Sequence, residues 1–270
     1  MCHAHIIDRI RGGGLPLDLA GKVDPAKAPV WKKPSEQQVR LLESFSRVVD
    51  LTHTLTKDFP SFFGPAFETE TTHTYEKDGF NLNTIKYYEH VGTHFDAPIH
   101  YSRDGNTIDE IPVEQLVCPL AIIDVRVKAE QDPDYCLSLD DIAAFEKDYG
   151  KIPDGACVAM FSGWESHLDS KRFRNEDEAG VLHFPGFHGD VADFLIEERD
   201  VYGAAVDTMS IDKGSSTEFP FHYRWLTSGR YGIENVANLG ALPPVGAMLV
   251  AGAPKFQGCT GGPGRLIALV

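Results

Sequence analysis

From residue 47 onward, short runs of apolar and β-branched residues recur along the chain, most of them bounded by Gly or Pro. The segments 47–51, 67–74, 82–88, 120–127, 156–161, 203–209, 247–251 and 265–270 are predicted strands, and Phe67, Thr69 and Thr71 alternate clearly. Helical periodicity is rarer. Ser138-Leu139-Asp140-Asp141 opens one helix with capping-box spacing; Ile142, Phe145 and Tyr149 share its apolar face, and Gly150 closes it. A second helix, over 190–200, carries Val191, Phe194 and Leu195 as its stripe. Residues 1–45 read differently. Gly12, Gly13 and Gly14, then Pro16, Pro25, Pro29 and Pro34, suppress periodicity until a short helix at 37–42, for which Ser35 is the expected N-cap. The expected organisation is an N-terminal arm, 1–45, that packs on the body or on a neighbouring subunit. One mixed α/β domain, 46–270, follows, with strands dominant and few helices.

Composition narrows the class of partner. The chain has 270 residues, with 25 Lys+Arg against 40 Asp+Glu, a formal net charge of −15. Nucleic acid and anionic membrane surfaces repel such a chain unless a basic patch is present. The densest basic run, Lys171-Arg172-Phe173-Arg174, is followed at once by Glu176, Asp177 and Glu178 and reads as a solvated loop. No apolar run approaches the roughly 18 residues of a membrane span. Arg9, Arg11 and Gly12 to Gly14 interrupt any signal-peptide core within residues 1–20, so the expectation is a cytoplasmic protein. Five scattered cysteines (Cys2, Cys118, Cys136, Cys157, Cys259), with no CxxC, fit reduced thiols. The glycine-rich segments at 12–14 and 258–264 lack a P-loop Lys-Ser/Thr, and Ser162-Gly163-Trp164-Glu165-Ser166 is not a GxSxG elbow.

The densest chemistry lies in His90-Val91-Gly92-Thr93-His94-Phe95-Asp96-Ala97-Pro98-Ile99-His100. Gly92, Thr93 and Pro98 disfavour a helix here. In an extended chain, alternate side chains share a face, so His90, His94, Asp96 and His100 point the same way and Gly92 clears space between them. Imidazole and carboxylate ligands without thiolate suit Zn²⁺, Mn²⁺ or Fe²⁺. A structural ion usually closes its shell with four protein ligands, several of them Cys. A shell poor in protein ligands leaves a position open, as a catalytic ion requires.

This segment resembles the HxGTHxDxPxH signature of the cyclase-type metal hydrolases, the family that includes bacterial kynurenine formamidase and isatin hydrolase. All seven specified positions match. The resemblance extends over roughly 48–270 and includes Asp50-Leu51-Thr52-His53, the block from Val206 to Asp212, Phe219-Pro220-Phe221-His222 and Gly232-Ile233-Glu234-Asn235. It implies an α/β domain of the swivelling β/β/α type with a β-rich, barrel-like central layer, and a homo-oligomer of two or more chains. It implies that His90, His94 and Asp96 bind one divalent ion. In the formamidase branch Asp96 shares a second ion with His222 and Glu234, whereas the isatin branch is associated with a single Mn²⁺. His100 is the implied acid/base. Without the resemblance, His222 and Glu234 read as a loop histidine and a helix-capping glutamate.

A bound divalent ion, Mn or Zn, brings water toward ionisation at neutral pH and polarises a carbonyl. An imidazole with an ordinary pKa near 6.5 then suits proton transfer to a leaving nitrogen. The expected reaction is metal-dependent hydrolysis of a C–N bond in a small aromatic lactam, amide or N-formyl group. Phe59 and Phe63, in a Pro- and Gly-bounded loop, and Trp164, after the 156–161 strand, are candidate pocket walls, although each also suits an ordinary core or interface. The segments from Trp225 to Gly232 and from Gly252 to Pro263 look closer to the isatin-hydrolase side. An arylformamidase and a non-catalytic metal-binding protein are the alternatives.

Overall fold

Five consecutive apolar residues, Cys157-Val158-Ala159-Met160-Phe161, leave this run no polar face to turn to water, and all five are buried. A strand buried on both sides sits at the centre of a sheet with layers on each face, and the computed structural model has this arrangement. It describes residues 45–270, so the arm up to residue 44 and the expected helix at 37–42 lie outside the described residues. The strands are β1 (Val48–Asp50), β2 (Phe67–His73), β3 (Leu82–Tyr87), β4 (His94–Asp96), β5 (Val117–Asp124), β6 (Cys136–Leu137) and β7 (Cys157–Phe161). They continue with β8 (Gly186–Phe187), β9 (Gly203–Val206), β10 (Tyr231–Glu234), β11 (Ala247–Gly252), β12 (Gly261–Pro263) and β13 (Arg265–Leu269). The helices are α1 (Tyr75–Asp78), α2 (Arg126–Gln131), α3 (Leu139–Tyr149), α4 (Gly189–Glu197) and α5 (Pro220–Thr227).

Contacts divide the described residues into two units, Glu68–Lys86 and Phe45–Phe67 with Tyr87–Val270. In the smaller, β2 and β3 form a hairpin whose connection includes α1 and turns at Gly79, φ +77°. Thr72 Oγ1 donates to the Leu82 carbonyl across it.

In the larger unit, nine strands form one sheet in the order β1-β13-β11-β5-β7-β9-β10-β4-β12. Its centre, β5-β7-β9-β10, is parallel, and both flanks are antiparallel. The sheet curls. Leu51 donates to the Leu266 carbonyl and accepts from Ala237 N, and Thr52 bridges to Val236, so the chain leaving β1 meets the chain leaving β10. The expected barrel-like central layer is this curled sheet, and the fold is mixed α/β with few helices. Alternation sorts the apolar residues. Leu120, Ile122, Ala159, Ala205 and Leu249 join one core with Phe95 and Ile233. Ala121, Ile123, Val158, Met160 and Val206 join another, with Ile142, Val191, Phe221 and Trp225 from α3, α4 and α5.

The two expected long helices appear as α3 and α4. Two strands end early for identifiable reasons. The strand expected over 120–127 stops at Asp124, whose Oδ1 accepts from Arg126 N and turns the chain into α2. The one expected over 203–209 stops at Val206, because Asp207 turns to accept hydrogen bonds from Ser162 and Trp164.

Candidate metal centre

The histidine-rich segment is extended only over β4, where His94 and Asp96 share a face as side chains two apart must. His90 and His100 are delivered differently from the continuous extended chain expected: one precedes a left-handed Gly92, φ +62°, and the other closes a 3₁₀ turn over Pro98–His100. A side chain at 92 is strained by this φ and would have to displace the end of the Leu55 side chain, 2.9 Å from where a Cβ would sit. The four residues still converge. Ligand atoms of His90, Asp96 and His100 lie within 4.8 Å of one another, and so do those of His94, Asp96 and Glu234.

Register brings in the distant residues. β10 pairs antiparallel with β4 so that Glu234 stands opposite His94 and Gly232 opposite Asp96; directly opposed side chains are nearest neighbours across a sheet. Glu234 Oε2 is 3.3 Å from His94 Nε2, and Oε1 is 3.3 Å from His222 Nε2 while accepting from Ile211 N. His222 sits in the first turn of α5, where backbone N–H groups have no intrahelical acceptors. Asp212 supplies them: Oδ1 accepts from Phe221 N and Oδ2 from His222 N. The same Oδ2 accepts from His222 Nδ1 at 2.7 Å, which fixes the tautomer and turns Nε2 toward Glu234 and, at 3.6 Å, Asp96. His94 is oriented likewise, its Nδ1–H donated to the Gly92 carbonyl. His90 places Nδ1 2.7 Å from Asp96 Oδ1 and Nε2 2.9 Å from Thr260 Oγ1, which in turn bonds Glu89. Such outer partners set ring orientation and ligand basicity in metal sites.

The electrostatics call for a cation. Asp96 and Glu234 are buried, 1% and 5% exposed, and no Lys or Arg pairs with either among the described residues. Burial opposes charging His94, yet the Asp96 and Glu234 carboxylates outweigh it and hold the imidazole up at about 10. His222 is raised in the same way, against burial, by Asp212, Asp96 and Glu234. Burial disfavours the Asp96 carboxylate, but the imidazoles of His222, His90 and His94 around it win and keep it well below the ordinary range. In this protein, protons on histidine supply positive charge that a divalent ion would supply better. Two buried ligand atoms, His94 Nε2 and Asp96 Oδ2, lack a hydrogen-bond partner, an expensive omission unless another group completes them. The residues therefore fit a sulfur-free divalent ion. His100, half-buried and stacked on His90 at 4.0 Å between ring centroids, is pushed down to about 4 by burial, against the pull of Asp96.

All six expected polar residues, His90, His94, Asp96, His100, His222 and Glu234, come together. Among the described residues, none of the three expected aromatic walls makes a ring contact with these six. Trp164 is 1% exposed, donates Nε1–H to the Phe173 carbonyl and packs with Phe173, Phe184 and Met209. It borders a separate cavity of about 790 Å³, lined also by Asp124, Arg126, Ser162 and His167, to which none of the six contributes. Phe59 is 5% exposed and packs with Ala66 and Val91, so its surface is spent in the core. Phe63 is exposed, against Phe62 and Tyr88. Asp212, Glu89 and Thr260 had no role assigned from sequence. Asp212 lies in the resembling 206–212 block and Thr260 in the resembling 252–263 segment, but nothing in the sequence singled either out within its segment, and nothing marked Glu89.

A curled α/β sheet with a buried, sulfur-free cluster of histidines and carboxylates defines the class of protein. Comparison with known proteins then places the chain. The Cyclase family model matches residues 49–213. Isatin hydrolase of Roseibium aggregatum is 34% identical over 218 residues, covering 76% of this chain and 82% of that protein. Kynurenine formamidase of Salinibacter ruber is 27% identical over 197 residues, covering 71% and 81%. The structure of isatin hydrolase A from Labrenzia aggregata, bound to benzyl benzoate, superposes with a TM-score of 0.79 at 35% identity, covering 87% of this chain and 98% of that one. The chain belongs to the Cyclase family.

Proposed function

We propose that this chain is a metal-dependent hydrolase that opens the C–N bond of an isatin-like cyclic amide, giving a carboxylate and a free amine. The observation that carries the proposal is the convergence of His90, His94, Asp96, His222 and Glu234 around unpartnered buried ligand atoms, with His100 at the less buried edge. His90, His94 and Asp96 would hold one divalent ion, Mn or Zn, and Asp96, His222 and Glu234 would hold a second where one is bound. The ion supplies Lewis-acid polarisation of the scissile carbonyl and a nucleophile at neutral pH. His100 is neutral at pH 7, so an imidazole nitrogen is free to take the proton of the attacking water and return it to the leaving nitrogen. Gly92 and Asp212 hold the ligand rings of His94 and His222 in fixed tautomers, so little reorganisation accompanies the reaction.

The similarity to an isatin hydrolase at 34% identity supports the lactam reading. The completed His222 and Glu234 pair favours a second reading, hydrolysis of an aryl formamide such as N-formylkynurenine, because that pair is the second-ion set implied by resemblance to the formamidase branch. Turnover of isatin against N-formylkynurenine separates the two. A higher kcat/KM for isatin is expected, and a higher value for the formamide would reverse the assignment.

A further inference from the structure

The less buried flank of the cluster is aromatic. Tyr101, directly after His100, places its ring 4.8 Å from His222 and 4.9 Å from His100 between centroids. Phe219 stands 5.8 Å from His222, perpendicular to it, and 6.2 Å from Tyr101 at a tilt of 57°. Tyr101 and Phe219 are half-buried, whereas His222, at the base of the corner they make, is buried. Two tilted, half-buried aromatic rings beside an imidazole present faces and edges of the kind that a flat ring meets by edge or offset contact.

Phe219 occupies an unusual backbone position, φ +48°, ψ +53°. Left-handed geometry is easy for Gly and resisted by a bulky side chain, and Pro220 restricts residue 219 further. The surroundings impose it: Phe219 N donates to Ser216 Oγ, and the Phe219 carbonyl accepts from Tyr223 N at the start of α5. Strain retained on a residue whose ring faces reactive groups marks a position kept for function. A glycine here would relax the backbone and remove the wall.

We propose that Tyr101 and Phe219 form the subsite for the substrate's aryl ring, selecting flat aromatic amides or lactams, and that the strained backbone at 219 serves to hold this wall. The inference rests on the proposed hydrolysis of an aryl substrate. Two arms test it. In the first, Phe219→Ala and Phe219→Gly are compared with the unaltered chain on isatin and on succinimide, a five-membered cyclic imide without an aryl ring. The ratio of kcat/KM for isatin to that for succinimide falls by about tenfold in both variants, while Phe219→Gly melts at a higher temperature than Phe219→Ala. In the second arm, binding of anthranilate, followed by its fluorescence, needs no turnover and weakens by about tenfold in each variant. Unaltered anthranilate affinity in folded variants overturns the subsite, as does an unaltered selectivity ratio. Tight, Phe219-dependent anthranilate binding by a chain that hydrolyses neither substrate would uphold the subsite and defeat the hydrolase reading.

Discussion

At the scale of single residues, the account depends on which atom each side chain presents. His94 and His222 have Nδ1 committed to Gly92 and Asp212, so their Nε2 atoms face Asp96 and Glu234. His94→Ala removes a ligand and leaves two buried carboxylates uncompensated, so bound metal falls to background in elemental analysis. His100→Ala, in contrast, keeps its metal and loses turnover by about 10²–10⁴-fold, the ordinary contribution of a general acid or base; an active variant would remove His100 from the mechanism. His94 also makes a pH prediction for protein stripped with chelator. Its folded pKa, about 10, lies above the unfolded 6.5, so the stabilisation is complete below 6.5 and is lost as pH rises through about 10. Thermal melts of the stripped protein therefore fall across that window, and metal-loaded protein, whose positive charge is not titrated, resists the fall. His90, His94, Asp96 and His100 were legible as a group because they lie within 11 residues. His222 and Glu234 were legible only by resemblance. No local pattern announces a meeting that depends on the β4–β10 register and the start of α5.

At the scale of elements, local chemistry predicted α3 and α4 well and the short elements poorly. Ser138 and Asp141 form the capping box expected from their spacing. Asp141 also accepts hydrogen bonds from Lys128, Tyr135 and the Ser138 hydroxyl. Burial alone would raise its carboxyl, but the Lys128 ammonium, Tyr135 and Ser138 hold it below the usual value. Its contribution is present above the unfolded pKa near 3.8 and is lost as pH falls through the lower folded value. Asp141→Ala, which removes a hydrogen-bonded charge, should cost about 2–3 kcal/mol in denaturant unfolding at pH 7, with the difference from the unaltered chain shrinking in acid. The missed elements have physical reasons. β4, β10 and β12 are three or four residues long, two of them contain glycine, and their pairing comes from partners far along the chain. α5 is eight residues long, and its start signals, Pro220 at the first turn and the Asp212 cap, lie in a loop without periodicity.

At the scale of the whole molecule, the nine-stranded sheet places β4 and β10 side by side and sets α5 over the same end, so the buried charges of the centre are a property of the fold. Among the described residues no helix is long and apolar enough to cross a membrane. Folding and metal binding are coupled, since the ligands come from three regions of sequence that only the native sheet assembles. Saturating Mn²⁺ or Zn²⁺ therefore raises the melting temperature, whereas His94→Ala removes the increase. The central claim, hydrolysis dependent on metal at this centre, is tested most directly on one preparation carried through elemental analysis and isatin ring-opening before chelation, after chelation, and after readdition of Mn²⁺ or Zn²⁺. The account predicts at least one divalent ion per chain, loss of ring-opening with loss of the ion, and recovery on readdition. Undiminished ring-opening by metal-free protein would contradict it.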